Sequence, residues 1–284
     1  MPFNSSVVGA QTKGFVHSID ARWLMAYAAG ISDRNPAYLD TNRHTVIAHP
    51  VFPVCLEWPA ILACYRLPGT ELVTADEQAR NVHASHDLQI FRPIRAGEQL
   101  TTTATVVGLT PIKPGAAQTI RLDTIAADGE LVCRTYQLGI KRNVEILGDP
   151  RVDEDMPDFP VANGGETQRF EIAIAQEAAH VYTECARIWN PVHTDRAVAL
   201  AAGLPDIILH GTATLAMAVS QIVDHILAGD STRITRLGGR FSAMVLMPST
   251  LSLAIHAHSD GVINYTVLCE DGSRAISQGF VCYG

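Results

Sequence analysis

The sequence is short of the features that mark nucleic-acid-binding, membrane and secreted proteins. Lys and Arg number 21 against 29 Asp and Glu, a formal charge of −8. A general binder of nucleic acid or of an anionic membrane needs the opposite balance. A local basic patch for a small phosphorylated ligand remains compatible with that charge. No run of ~18 uninterrupted apolar residues occurs, which predicts no transmembrane helix and no membrane partner. The six cysteines, Cys55, Cys64, Cys133, Cys185, Cys269 and Cys282, are scattered without a Cys-x-x-Cys pair. Most fall in apolar runs and read as reduced core residues, not as a disulfide framework. The opening residues lack a charged segment followed by an apolar one, and Val281-Cys282-Tyr283-Gly284 is not a peroxisomal address. The expectation is a cytoplasmic chain. Gly-x-Gly-x-x-Gly, P-loop and Gly-x-Ser-x-Gly patterns are missing, which argues against Rossmann dehydrogenases, nucleotide hydrolases and serine hydrolases.

Hydrophobic residues make up 47% of 284, enough for one large or two modest cores. An internal repeat favours two. YAAGISDRNPAYLD at 27–40 aligns with YTECARIWNPVHTD at 182–195. Tyr27 matches Tyr182, Asn35-Pro36 matches Asn190-Pro191 and Asp40 matches Asp195, each 155 residues apart. Ile47-Ala48-His49-Pro50 then matches Ile208-Leu209-His210-Gly211 at a spacing of 161. Asp128-Gly129 and Asp271-Gly272 each separate two strand-like runs, a signal for tight hairpins.

The order of elements is shared too. Short helices are predicted near 20–30, capped by Ser18 or Asp20, and near 175–186. Longer apolar helices follow near 52–66 and 211–228, the second stopped by Gly229. Strands are predicted at 99–107, 117–126, 131–140, 250–257, 262–269 and 274–282. Residues 148–166 carry three prolines, three glycines and several acids and read as an extended, solvated linker. The domains expected are therefore 1–147, linker 148–166, and 167–284. Each is an α+β unit with a curved antiparallel sheet wrapped on one buried helix. Side by side the two can form one continuous sheet, which removes an exposed edge.

The segment from Tyr182 through Asn190-Pro191-Val192-His193-Thr194-Asp195 to Ile208-Leu209-His210-Gly211 resembles the signature of the MaoC-like (R)-specific enoyl-CoA hydratase and dehydratase family. The first-half copy resembles the degenerate half of its double hot-dog members. The resemblance implies a hot-dog fold in each half. It also implies reversible addition of water to a trans-2-enoyl thioester, giving a (3R)-3-hydroxyacyl thioester on coenzyme A or an acyl carrier protein. Neither a metal nor another cofactor is expected. The chain would be a monomeric pseudo-dimer or a homo-oligomer.

The chemistry needs a group to activate water as it attacks Cβ, a proton for Cα, and a donor for the enolate oxygen. A neutral imidazole suits the first two near pH 7. Backbone N–H groups at the start of a buried helix suit the third. In that scheme His193 is the acid/base, the Gly211 N–H is the oxyanion donor, Asn190 shapes the loop, and Thr212, Tyr38 and Arg240 line the substrate site. In the family pattern an aspartate stands five residues before the histidine. Here that position is Ile188, while the first half has Asp33 followed by Tyr38 in the histidine's place. Four accounts stay open. His193 works with another acid, Glu184 before Asp195 or Tyr182; the first-half pair Asp33 and Tyr38 works instead; Asp33 and His193 share one site; or neither pocket catalyses and the protein binds thioesters or serves as a structural or regulatory partner subunit. A hot-dog thioesterase is a further alternative.

Other histidines read as structural. His210 is expected beneath the helix start, and His256 and His258 face one side of a strand without a third ligand. His83 and His86, three apart on a strand, are expected on opposite faces. Arg233, Arg236 and Arg240 are expected in a basic loop that can meet phosphates.

Overall fold

The computed structural model describes residues 3–42, 44–165 and 167–284; Glu166, at the end of the expected linker, lies outside them. The first half runs β1 (Phe15–Ser18), α1 (Ala21–Gly30), α2 (Pro53–Cys64), β2 (Asn81–Ile90), β3 (Gln99–Ile112), β4 (Gly115–Ala126) and β5 (Leu131–Arg142). The second repeats that order with β6 (Gln168–Ile174), α3 (Ala178–Ala186), α4 (Gly211–His225), β7 (Ile234–Phe241), β8 (Ser249–Ser259), β9 (Val262–Leu268) and β10 (Arg274–Tyr283). These strands form one sheet in the order β1-β3-β4-β5-β2-β7-β10-β9-β8-β6, which is its own mirror about the β2–β7 seam. The seam is antiparallel, with Leu88 opposite Leu237 and His86 opposite Gly239. Pairing there closes the edge that each half would otherwise expose. The fold is the α+β double hot-dog.

Local chemistry accounts for the elements. The Asp20 carboxylate accepts from the Trp23 N–H at 2.7 Å and caps α1. That helix buries Trp23, Leu24, Tyr27 and Ala28, one helical face. Pro53 sits in the first turn of α2, where a missing N–H costs nothing. α4 is buried almost all round, from Ala213 to Ser220 and again at Ile222 and Val223. It is the second half's central helix. Gly129 and Gly272 take φ of +91° and +81° in the two Asp-Gly hairpins. The α1 and α3 helices pack across the pseudo-two-fold, with the rings of Tyr27 and Tyr182 5.8 Å apart.

Three expectations are corrected. Residues 148–165 are extended and largely exposed, yet they are not a free tether but a strap held along the sheet. Arg151–Val152 pairs with β3, Glu154 bonds Arg121 and Tyr136, the Phe159 ring lies 5.0 Å from Phe280, and Asn264 bonds both Pro160 and Ala162. The arginine cluster is not a loop: Arg236 and Arg240 lie on β7, and Arg236 grips buried Asp87 through two bonds of 2.9 and 2.5 Å. Finally, His83 and His86 share a face. The pairing of β2 with β5 slips between His83 and Ser85. That bulge at Ala84 re-aims His83 and brings its ring to 5.4 Å from that of His86.

Candidate active site

The Asn-Pro segment of the second half ends in a tight turn, Pro191–His193, that carries His193 to the start of α4. The His193 Nδ1 lies 2.8 Å from the Ile208 carbonyl oxygen. A carbonyl only accepts, so Nδ1 bears the proton and Nε2 the lone pair. The ring stacks on His210, with centroids 3.6 Å apart and planes at 26°. Nε2 of His193 takes no partner among the described residues. Burial holds the ring's pKa down to about 4, so it is a neutral base at pH 7. His210 sits beneath it, buried, with Nε2 3.3 Å from the Thr183 hydroxyl.

His210 caps α4, and its carbonyl accepts from the Ala213 and Thr214 N–H groups. The N–H groups of Gly211 and Thr212 have no partner among the described residues. They are the orphan donors of a helix start. The Thr212 hydroxyl accepts from Tyr182 at 3.1 Å. A side chain at position 211 would stand 3.0–3.2 Å from the Phe241 ring, which explains glycine there.

The first half has the same frame with its donors removed. Pro50, the counterpart of Gly211, has no N–H, nor has Pro53. The Val51 N–H donates to His49 Nδ1 at 3.1 Å and the Phe52 N–H to the His49 carbonyl at 2.8 Å. His49 Nε2 therefore carries the proton and faces Ser220 Oγ at 3.2 Å, while Ser220 donates to Asp33 Oδ2 at 2.6 Å. Asp33 also accepts from the Asn35 N–H at 2.8 Å. Tyr38 is buried with its ring 5.4 Å from that of His49, and burial pushes its hydroxyl above the usual range. A cleft of about 370 Å³, counted with the solvent at its mouth, opens beside this helix start, lined by His49, Pro50, Arg92, Cys133 and Ile234 among others.

The candidate residues thus fall into two groups. His193, Asn190, Gly211 and Thr212 meet at the start of α4. Asp33 and Tyr38 lie apart from it in the first half, Asp33 bonded to Ser220 and the Asn35 N–H and Tyr38 packed against the His49 ring. Glu184 joins neither: it is exposed, with its carboxylate 3.5 Å from the Trp189 indole nitrogen and no bond to His193. The helix carrying it ends at Ala186, and Arg187 turns left-handed at φ 58°. Glu184 and the residues after 188 therefore lie on no common helical face. Asp195 caps the helix Arg196–Ala201. Arg240 is exposed on β7. Ile188 is buried in the core. Its counterpart is Asp33, and the counterpart of Ser220 is Pro59, so the polar pair that Asp33 and Ser220 make across the two halves answers to two apolar residues, Ile188 and Pro59, across the pseudo-two-fold. Among the described residues no group of three or more His, Cys, Asp or Glu is placed to hold a metal.

Fold and site together define a double hot-dog protein in which, among the described residues, the second-half helix start keeps unpaired N–H groups beside a neutral histidine. A family profile described as "MaoC like domain" matches residues 161–276, and one described as "FAS1-like, dehydratase domain region" matches 6–135. The chain belongs to the MaoC-like dehydratase family. It is 24% identical over 285 residues to "Enoyl-CoA hydratase 2, peroxisomal" of Arabidopsis thaliana, covering 93% of this chain and 90% of that one. It is 25% identical over 284 residues to "3-hydroxyacyl-thioester dehydratase Y" of Mycobacterium tuberculosis, covering 97% and 95%. The crystal structure of a MaoC-like dehydratase from Phytophthora capsici superposes with a TM-score of 0.84 at 18% identity, over 98% of this chain and 96% of that one.

Proposed function

We propose that the protein is a hydro-lyase that interconverts trans-2-enoyl and (3R)-3-hydroxyacyl thioesters, presented on coenzyme A or an acyl carrier protein. The names of the two full-length relatives support the reaction class. The observation that carries the assignment to the second half is the asymmetry of helix starts. Gly211 and Thr212 have free N–H groups beside a histidine with a free Nε2, whereas the corresponding groups of the first half are missing or bonded.

The thioester carbonyl accepts from the N–H at Gly211, where the helix dipole adds to the attraction. Water donates a proton to His193 Nε2 as its oxygen bonds to Cβ and the C=C electrons move toward the carbonyl oxygen. The imidazolium then returns that proton to Cα as the carbonyl re-forms. One water is added and the imidazole is regenerated, so His193 serves as base and then as acid. The Ile208 carbonyl stabilises the imidazolium through Nδ1–H. It thereby takes over part of what a neighbouring carboxylate would do. Asn190 shapes the loop that carries His193, and Thr212 lies within the same helix start. Asp33 and Tyr38 maintain the other half. The chain would act as an internal dimer of two hot-dog units, in a reducing compartment that suits its free cysteines; we place it in the cytoplasm.

The test is the loss of enoyl-thioester absorbance when pure protein is mixed with crotonyl-CoA. Turnover supports the proposal. Tight binding without turnover assigns a thioester-binding subunit instead.

A further inference from the structure

The His83–His86 pair is not used by this chemistry, yet it stands against the same helix start. Three of its ring nitrogens, His83 Nε2 and both nitrogens of His86, are sealed from solvent with no hydrogen-bond partner among the described residues. Buried polar groups are nearly always paired, and an unpaired cluster asks for a partner that the chain itself does not supply. The pair exists because of the bulge at Ala84, since a regular strand would turn His83 to the other face. His83 packs edge-on against Phe241, with centroids 4.8 Å apart, and Phe241 is the ring that stands 3.0–3.2 Å from where a Gly211 side chain would begin.

The pseudo-two-fold says which part of the site this is. In the first half, Arg92 and Pro93 after β2 and Ile234 at the start of β7 both line the cleft beside the helix start. The two-fold exchanges β2 with β7. The start of β2, where His83 lies, therefore takes the place beside α4 that Ile234 takes beside α2. An apolar wall in one half becomes an imidazole wall in the other. Phe241 stands between His83 and Gly211, so a thioester whose carbonyl met the Gly211 N–H would reach the pair only through its acyl chain beyond Cβ.

Resting on the thioester reading above, we infer that His83 and His86 form a specificity pocket for an acyl group whose far end carries oxygen, a hydroxyl or a carboxylate, and that plain alkyl chains are poorer ligands. Each neutral imidazole offers one N–H and one lone pair. An oxygenated terminus satisfies nitrogens that an alkyl terminus leaves stranded. Sites built to hydrogen-bond a ligand reject analogues lacking the partner more strongly than apolar pockets reject a change of size. Phe241 must move aside for the terminus to reach His83, which makes it the ring that opens the pocket. Two histidines without a third ligand do not make a metal site.

The experiment measures binding of three saturated thioesters of one length to the full chain: hexanoyl-CoA, 6-hydroxyhexanoyl-CoA and adipoyl-CoA. None can be hydrated, so the result does not depend on catalysis. The expected result is that at least one oxygenated ligand binds ~10-fold or more tighter than hexanoyl-CoA. His83→Phe should remove that margin while hexanoyl-CoA changes by less than about threefold. His83→Gln, which keeps a hydrogen-bonding end, should keep part of it, and thermal melts report that both variants fold. The better of the two oxygenated ligands distinguishes hydroxyl from carboxylate. Equal binding of all three, tightest binding of hexanoyl-CoA, or a margin that survives His83→Phe overturns the inference and leaves the thioester reading intact. Failure of all three to bind removes that reading, and this inference with it.

Discussion

The Nδ1–H of His193 donates to the carbonyl of Ile208 over 2.8 Å, and that bond fixes which ring nitrogen holds the lone pair. A backbone carbonyl cannot be titrated away near neutral pH, so the tautomer is held without a carboxylate. On the proposed mechanism, this is how a chain with isoleucine at the acid position would keep its base oriented. The arrangement has a consequence for pH. Burial lowers the His193 pKa from 6.5 to about 4. A lowered histidine is unprotonated above its folded pKa, so the active form persists as pH falls through 6.5. kcat/KM measured from pH 4 to 8 should stay flat down to about pH 5 and fall only below it, with circular dichroism monitoring the fold. An acid limb centred near 6.5 contradicts the account.

Gly211→Pro separates the backbone donor from the helix it starts. Proline is tolerated in the first turn, and His210 already has an extended backbone suited to precede it. The substitution removes the N–H and copies Pro50 of the first half. kcat should fall about 10²–10³-fold, the usual cost of one oxyanion donor. Gly211→Ala is the control, because it makes the same contact with Phe241 but keeps the donor. Equal losses in both would assign the effect to crowding.

Ser220 joins the halves by donating to Asp33 and accepting from His49. Removing its hydroxyl leaves two buried partners short of a bond. Ser220→Ala should cost about 1–3 kcal/mol in urea unfolding, with kcat changed much less than by substitutions at the second-half site. A neutral effect on stability would show that Asp33 is satisfied in another way.

Ile188→Asp returns a carboxylate to the position five residues before His193. Ile188 is buried, so the change should lower Tm, through lost apolar burial and a desolvated charge. It should also raise the His193 pKa by the attraction of a nearby anion and raise hydratase turnover. A variant that folds with no gain in turnover would indicate that the Ile208 carbonyl already does what the acid would do.

The repeat, the two long helices and the Asp-Gly hairpins were legible because each rests on a local signal: a periodic apolar face, a capping Asp20, a Gly with positive φ. The resemblance to a known signature singled out His193 and Gly211, and the structure stacks the His193 ring on His210, the residue before Gly211. What the sequence hid is non-local. The alignment of Glu184 with the histidine loop assumes a helix that continues, and Arg187 breaks it at φ 58°. A strict alternation sends His83 and His86 to opposite faces, and one bulge reverses that. The acid- and proline-rich segment reads as a free tether until Phe159 meets Phe280 and Asn264 reaches Pro160 across the sheet. The loss of free donors at the first-half helix start was written in Pro50 and Pro53, which lack N–H groups, but the bonds from Val51 and Phe52 to His49 require the fold.

The central claim is that catalysis resides at His193 in the second half, and one comparison tests it most directly. Initial rates with crotonyl-CoA are measured for the wild type, His193→Ala and Asp33→Ala, each checked for folding by circular dichroism. The account predicts a fall in kcat of about 10²–10⁴-fold for His193→Ala, as expected for loss of a general acid/base. Folded Asp33→Ala should lose much less. Activity that survives His193→Ala but is abolished by Asp33→Ala would place the chemistry in the first half and contradict it.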